Sequence, residues 1–222
     1  MRIDSVLRGL LMALLCGLCG SAVWADEQSD LFFAAKAGNN SRLEKLLEQG
    51  LDVNSRDAQG NTPLILAARD ENARTVDFLL KHGADPNARD RNGDSALSWT
   101  ALRGDQQMAE SLLAHQADPN QPEWTPLMYA ALHAHPAMVA LFLQHGAQVD
   151  AVSPNASTAL MLAAKSGCVS CVKLLLQARA DVHKQNENKD RAWDFAKRSN
   201  SKQIMGLLQE HGAQAPPAKD AP

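Results

Sequence analysis

Two cysteines stand three residues apart in the segment SGCVSCVKLLLQ, which covers residues 166–177. Cys168 and Cys171 form a C-x-x-C motif just ahead of a helix-like apolar run. Such a pair can act as a redox dithiol, supply half of a metal site, or pack as ordinary side chains of a scaffold. Which chemistry applies depends on the elements that carry the pair.

Motifs for other chemistry are absent from the sequence. It has no Gly-rich phosphate loop, no G-x-S-x-G and no pair of acids set apart from its general pattern. We therefore expect no enzymatic activity and no cofactor. The formal net charge of −3, with Lys and Arg scattered along the chain, argues against nucleic-acid binding, because phosphates are bound by a concentrated basic surface.

The N-terminus has the three-part pattern of a secretory signal peptide. Basic residues precede an apolar stretch over residues 9–19, and Val23 and Ala25 then offer small residues at positions −3 and −1 of a cut. The stretch is shorter than the roughly 20 apolar residues that cross a bilayer, so residues 1–25 are predicted to be cleaved off. The mature chain is expected in the periplasm or outside the cell, without membrane insertion. There its two remaining cysteines can oxidise.

A repeat of about 33 residues organises the rest of the chain. Six similar segments begin near residues 27, 60, 93, 123, 156 and 189. Self-similarity at this period indicates stacked helical units, each of which buries its apolar face against its neighbours. We predict one domain of about six helix-turn-helix units over residues 26–214 and a disordered tail over residues 215–222.

Short motifs recur at fixed places within these segments. Residues 62–64 and 125–127 read T-P-L, residues 67–68 are an alanine pair, and residues 83–85 read G-A-D. In this pattern Thr62 should cap a helix whose first residue is a proline. The segments resemble ankyrin repeats over nearly all of the chain after the signal peptide. The resemblance implies an all-α solenoid with short hairpin finger loops that binds a protein partner and is not an enzyme.

In the repeat frame, Cys168 begins a second helix and Cys171 faces the core. Two interpretations stay open: a pair of buried thiols, or a disulfide whose small loop stabilises by less than the usual range of about 2–4 kcal/mol. A metal site is a further alternative. Packed helices lie about 8–10 Å apart, so His133, His135 and Cys168 from adjacent units could converge on Zn(II) or copper.

One finger loop is short. Seven residues lead from Asp118 to Thr125, where ten lead from Asp85 to Ser95. One interpretation is a tolerated deletion, with Trp124 folded over the groove, since loops accept changes of length. The other interpretation is a notch in the row of fingers in which Trp124 anchors a partner, because tryptophan is enriched among residues that dominate binding energy.

The ankyrin resemblance places the partner on the concave face made by the fingers and first helices. By position, that face includes Asp57, Gln59, Arg69, Asp70, Arg89, Arg91, Asn92, Trp99, Leu102, Arg103, Trp124, Leu132, His133 and Lys165. Fewer than half of these should carry binding energy. Our predicted contacts are Arg69, Asp70, Arg91, Asn92, Arg103, Trp124 and His133.

These observations predict an exported, monomeric scaffold for a protein partner. Some exported bacterial ankyrin proteins accompany catalases, so the resemblance makes protection of a stress enzyme one hypothesis. A second is an immunity or inhibitor protein that blocks a secreted toxin or lipase. A third, from another class, is a redox or metal-handling protein that uses Cys168 and Cys171 with His133 and His135.

Overall fold

The computed structural model describes the backbone of residues 20–214 and the side chains of residues 27–214. Most of the predicted signal peptide and the predicted tail over residues 215–222 therefore lie outside the described residues. Within the described range, no helix is long and apolar enough to cross a membrane.

Twelve α-helices and no strand make up the described residues, arranged as six helix pairs. They are α1 (Gly20–Lys36), α2 (Asn40–Glu48), α3 (Pro63–Arg69), α4 (Ala73–Lys81), α5 (Ala96–Arg103), α6 (Gln106–Ala114), α7 (Pro126–Leu132), α8 (Pro136–Gln144), α9 (Ala159–Ser166), α10 (Val169–Gln177), α11 (Ala192–Arg198) and α12 (Lys202–Glu210). The predicted all-α fold of about six helix-turn-helix units is confirmed.

The chain divides between Arg91 and Asn92 into two compact units. In the first unit, α1 packs against α2 and α3, and α3 packs against α4. In the second, α5, α7, α9 and α11 each pack on the next, and α6, α8, α10 and α12 form a parallel row of second helices. The buried apolar side chains come from the facing sides of these elements, as expected when each repeat buries its apolar face on its neighbours.

Hydroxyl side chains begin the first helices of four repeats. Each accepts a hydrogen bond from the backbone N–H three residues further on, which satisfies one of the unpaired donors of a helix start. The four capping residues are Thr62, Ser95, Thr125 and Thr158. Pro63 follows the first of them in the first turn of α3, as predicted. The repeated T-P-L motif therefore starts a first helix through a local hydrogen bond from the threonine and the fixed φ angle of the proline.

Side chains at the start of second helices join consecutive repeats. In the first unit, Asn72 Nδ2 donates to the Lys36 carbonyl oxygen at 2.7 Å. In the second unit, His135 Nε2 donates to the Leu102 carbonyl oxygen at 3.1 Å. Both carbonyls lie near the end of a first helix, where no further helical N–H is available to them. These bonds fix how far one repeat lies from the next.

Candidate partner-binding site

The short finger loop borders an open groove in the second unit. We call it the finger groove; its volume is about 420 Å³. One wall is the loop over residues 120–125, the other is the next finger over residues 148–152, and a third finger adds a lysine. The lining residues are Asn120, Gln121, Pro122, Glu123, Thr125, Gln148, Asp150, Ala151, Val152 and Lys184.

The walls of the finger groove are braced against each other. Asn120 Nδ2 donates to the Gly146 carbonyl oxygen at 3.0 Å, and Asn120 Oδ1 accepts the backbone N–H of Gln148 at 2.7 Å. On the far wall, Asp150 Oδ1 accepts the backbone N–H of Asp181 at 3.0 Å. A groove whose walls are already fixed loses little conformational entropy when a partner binds.

The short loop keeps the left-handed residue that stands two positions before a first-helix cap, and here that residue is Glu123. Its φ of +73° lies in the left-handed region, which residues other than glycine rarely adopt. Glu123 and Pro122 are exposed on the loop, whereas the following Thr125 is buried as the cap of α7. The equivalent residues of the other fingers, Gly60, Gly93, Ala156 and Lys189, also have a positive φ, so the short loop keeps this turn and lacks residues elsewhere.

An exposed apolar side chain lines the groove. Val152 is 49% exposed, and the other large hydrophobic side chain exposed to this extent among residues 27–214 is Phe33. Val152 lies among amides, Asp150 and Lys184, so the lining combines apolar and polar groups. This mixture is typical of protein–protein contact surfaces, in which an apolar centre lies inside a polar rim.

Trp124 lies beside the groove and is not one of its lining residues. Its ring is half-buried and packs against Tyr129 of α7, with the ring centroids 5.4 Å apart. The Tyr129 hydroxyl in turn donates to Asp94 Oδ1 at 2.6 Å. The tryptophan is thus folded onto a first helix, and its role as an anchor for a partner stays a prediction.

The other predicted contacts are distributed over both units. Arg69 and Asp70 lie at the end of α3, where their charged groups are 3.7 Å apart. Arg69 is half-buried. The predicted contact residues that are exposed are Asp70 and Arg91 in the first unit and Asn92, Arg103 and His133 in the second. None of them lines the finger groove, and their contact with a partner stays a prediction.

The structure does not bring His133, His135 and Cys168 together as metal ligands. His135 is directed to the Leu102 carbonyl, whereas Cys168 lies beside Cys171, with their Cα atoms 5.3 Å apart and their Sγ atoms at bonding distance. Among residues 27–214 no group of three or more His, Cys, Asp or Glu side chains is arranged to hold a metal ion. This geometry gives no support to convergence across adjacent repeats, since His135 is engaged by the preceding repeat, and metal binding by the three residues stays a prediction.

The two cysteines occupy structural positions. Cys168 is the N-cap of α10, and its Sγ accepts the backbone N–H of Cys171 at 3.2 Å. Cys171 is fully buried. A bridge between them would tie the cap to the first turn of the helix.

We predict that reducing this bridge lowers the free energy of unfolding by about 1–2 kcal/mol, since a loop this small removes little entropy from the unfolded chain. Urea unfolding with and without a phosphine reductant measures the change. Cys168→Ser is the control, because serine still caps the helix and the variant should not respond to reductant. Two free thiols per mature chain, which holds only Cys168 and Cys171, in protein purified without reductant would contradict the prediction.

The groove residues Val152 and Lys184 were not predicted from the sequence. Val152 stands four residues after Gln148, which takes the place of Asp in the G-A-D motif. The same finger position holds Arg56, Arg89 and Pro122 in other repeats. Comparing this position across repeats would have shown its change from charged to apolar, although not the groove itself.

Comparison with known proteins agrees with this architecture. A family model described as ankyrin repeats (3 copies) matches residues 31–123, 101–186 and 127–216, which overlap and together span most of the chain. The chain belongs to the ankyrin repeat family.

Two solved ankyrin domains are similar over most of the chain. An ankyrin repeat domain of Acinetobacter baumannii AYE has a TM-score of 0.76 at 28% identity, covering 83% of this chain and 98% of that domain. The human ASB11 ankyrin repeat domain has a TM-score of 0.75 at 25% identity, covering 84% and 85%.

Curated relatives match shorter stretches. Ankyrin repeat and SOCS box protein 11 of Danio rerio is 38% identical over 89 residues, which is 40% of this chain and 30% of that protein. An ankyrin repeat and KH domain-containing protein of Caenorhabditis briggsae is 34% identical over 102 residues, 44% of this chain and 4% of that protein. The chain therefore spans less than a third of either relative, and the likeness concerns the ankyrin repeats alone.

Proposed function

We propose that this ankyrin protein is an exported, non-enzymatic scaffold that binds a protein partner, with the finger groove as a contact site. Membership of the ankyrin family supports binding of a protein partner, and the signal-peptide pattern of residues 1–25 supports export. The observation that carries the proposal is the open groove of about 420 Å³ between two braced fingers, with a half-exposed valine in its lining.

The lining of the groove suits a partner segment that presents an apolar side chain flanked by polar groups. Val152 would lose its remaining exposure under such a side chain, which is favourable by about 25 cal/mol for each Å² of apolar surface removed from water. Lys184 and Asp150 would lie at the rim, where charged groups contribute mainly to orientation and the rate of association. The bracing by Asn120 keeps this arrangement in place before binding.

Val152→Asp is expected to weaken binding of the partner by ten- to a hundredfold, because it replaces apolar contact with a charge that must be desolvated. The chain, expressed with its own N-terminus and recovered from the periplasm, is used to capture and identify the partner. Its affinity for the purified partner is then measured by calorimetry. Export as proposed requires that the recovered chain begins at Asp26.

Phe33→Asp is the matched control, because it places the same charge on another exposed apolar side chain outside the groove. Unchanged affinity of Val152→Asp for the partner would refute the groove as a contact site. Trp124→Ala separates the two interpretations of the tryptophan. Loss of affinity with an unchanged melting temperature indicates an anchor, whereas a lower melting temperature with normal affinity indicates packing on Tyr129.

The proposal includes two candidate classes of protein partner. A stress enzyme such as catalase is one candidate, and a secreted toxin or lipase inhibited by the chain is another; both come from the family resemblance. Incubating the captured enzyme with the chain distinguishes them, since a protector preserves activity under oxidative stress and an inhibitor abolishes it. Redox or metal handling gains no support from the geometry, because Cys171 is buried and His135 is engaged by a carbonyl.

A further inference from the structure

A second cleft lies between two fingers of the first unit, and three of its lining residues are arginines. We call it the arginine cleft; its volume is about 300 Å³. It is open to solvent and lies wholly within the first unit. Its lining residues are Arg56, Asp57, Gly60, Arg89, Asp90 and Arg91.

The two fingers that form the arginine cleft are joined by hydrogen bonds. Arg56 Nη1 donates to the carbonyl oxygens of Gly60 at 2.9 Å and Arg89 at 2.6 Å. The backbone N–H of Arg91 donates to the Gln59 carbonyl oxygen at 3.0 Å. The stem of Arg56 is thereby held in place, which lowers the entropy lost when its guanidinium engages a further group.

Gly60 allows the close approach of the second finger. Its φ is +82°, and a Cβ built there would lie 3.2 Å from both Cγ and the backbone nitrogen of Arg91. The glycine thus places Arg91 directly against the first finger. The cleft is a consequence of this contact and of the bonds made by Arg56.

Asp57 is occupied by its own loop. Its carboxylate accepts the backbone N–H groups of Gln59 and Asn61 and the side-chain amide of Asn61. Burial raises its pKa, but the hydrogen bonds from Asn61 and Gln59 and the charge of Lys36 outweigh burial, so the pKa of Asp57 lies below its ordinary value. This carboxylate therefore stays ionised, and its hydrogen bonds shape the turn of its own loop.

Positive charge in the cleft exceeds negative charge. Three arginines face two aspartates, which leaves one net positive charge among the lining residues. Arg91 is exposed, and within residues 27–214 its guanidinium has no hydrogen bond or ion pair. Arg56 has no partner in the same range beyond the two carbonyls at Nη1. Guanidinium groups placed in this way are suited to a carboxylate, which they bind through paired N–H···O bonds.

The fold itself does not require arginine at this place. Arg56 and Arg89 lie 33 residues apart and occupy the same finger position in successive repeats. In the second unit that position holds Pro122 and Val152, which line the finger groove. Because proline and valine stand there in other repeats, arginine at this position is not a general requirement of the repeat.

We propose that the arginine cleft binds an aspartate or glutamate side chain presented by the protein partner. The inference rests on the proposed scaffold function and names the chemistry of a second contact. A carboxylate between Arg56 and Arg91 would supply the charge that the cleft lacks. The overall net charge of −3 makes such a local basic cleft selective, because it does not attract polyanions over the whole surface.

The test is a nuclear magnetic resonance titration of the purified, isotope-labelled chain with the peptide acetyl-Gly-Ser-Glu-Glu-Gly-Ser-amide. The backbone amide signals of Gly60 and Arg91 should shift, and binding should weaken between about 0.05 and 0.5 M salt as charges are screened. The same peptide with Gln in place of Glu should bind at least about tenfold more weakly.

Arg91→Gln should weaken binding of the Glu peptide by about tenfold, whereas Arg74→Gln should leave it unchanged. Arg74 is an exposed arginine of α4 in the same unit and does not line the cleft. Equal binding of the Glu and Gln peptides, or an Arg91→Gln variant that binds normally, would overturn the proposal. So would displacement by inorganic phosphate at the concentration of the peptide. The peptide assay uses no natural partner, so its failure is separate from failure of the groove experiment.

Discussion

Phe142→Ala is expected to lower the free energy of unfolding by about 3–5 kcal/mol, as full removal of a buried phenyl ring does in other cores. Phe142 of α8 is fully buried and is the largest of the side chains with no exposure. Helix α8 packs against α6, α7 and α10, so the cavity left by the ring would be lined from several sides and would collapse poorly. Urea unfolding followed by circular dichroism measures the loss.

Phe33→Ala is the matched control, since it makes the same chemical change at a side chain that is 69% exposed. Its effect should stay within about 0.5 kcal/mol, as for other surface substitutions. If both variants lost the same stability, the burial of Phe142 in the second unit would be incorrect.

Gly104→Ala is expected to destabilise the protein by about 2–4 kcal/mol for two reasons. The φ of +78° at Gly104 lies in the left-handed region, where alanine is less stable by roughly 1–2 kcal/mol. In addition, a Cβ at this position would lie 2.7 Å from Nδ1 of His135. The ring would have to move, and its hydrogen bond to the Leu102 carbonyl oxygen would be lost at about 1 kcal/mol.

Gly167→Ala measures the part of the destabilisation that comes from the left-handed backbone alone. Gly167 ends α9 as Gly104 ends α5, with a similar φ of +73° and no atom within 4 Å of a built Cβ. Its loss should be about 1–2 kcal/mol. In a His135→Ala background, Gly104→Ala should fall to the same value, because the obstructing ring is gone. Equal effects of the two glycine variants in the wild-type background would show that the ring does not press on Gly104.

Much of the helical architecture could be predicted because it is encoded locally. The hydroxyl of Thr62 caps α3 and Pro63 fixes its first turn, and both depend on residues within one helical turn. The 33-residue period then repeats the same helix pair along the chain. Period and caps together are sufficient to predict a stack of helix pairs.

The candidate sites were harder to predict because they depend on distances between fingers. Trp124 was the most conspicuous residue of the short loop, yet it packs on Tyr129, and Val152 of the next finger lines the groove instead. The short loop itself can be recognised in the sequence, because a missing segment is visible by counting residues. Which side chain fills or borders the space depends on how the neighbouring fingers pack together.

For the cysteines, too, the position in the repeat could be predicted, whereas the neighbouring side chains could not. Their place at the start of α10 follows from the repeat frame, but His133, His135 and Cys168 were also placed on adjacent repeats by that frame, and the structure does not gather them. Equivalent positions in neighbouring repeats lie within reach of one another, and the direction of each side chain depends on its own hydrogen bonds. For His135 that bond is to Leu102.

The sequence by itself determined the helix pairs, their caps, the period of the repeat and membership of the ankyrin class, because these depend on residues close together in the chain and on a pattern repeated six times. Only the tertiary structure decided which finger residues form the finger groove and the arginine cleft. Asn120 bridges two fingers, and Arg56 reaches a carbonyl 33 residues away. Contacts of this range depend on how one repeat is seated on the next, and the space between two fingers is set by those contacts together.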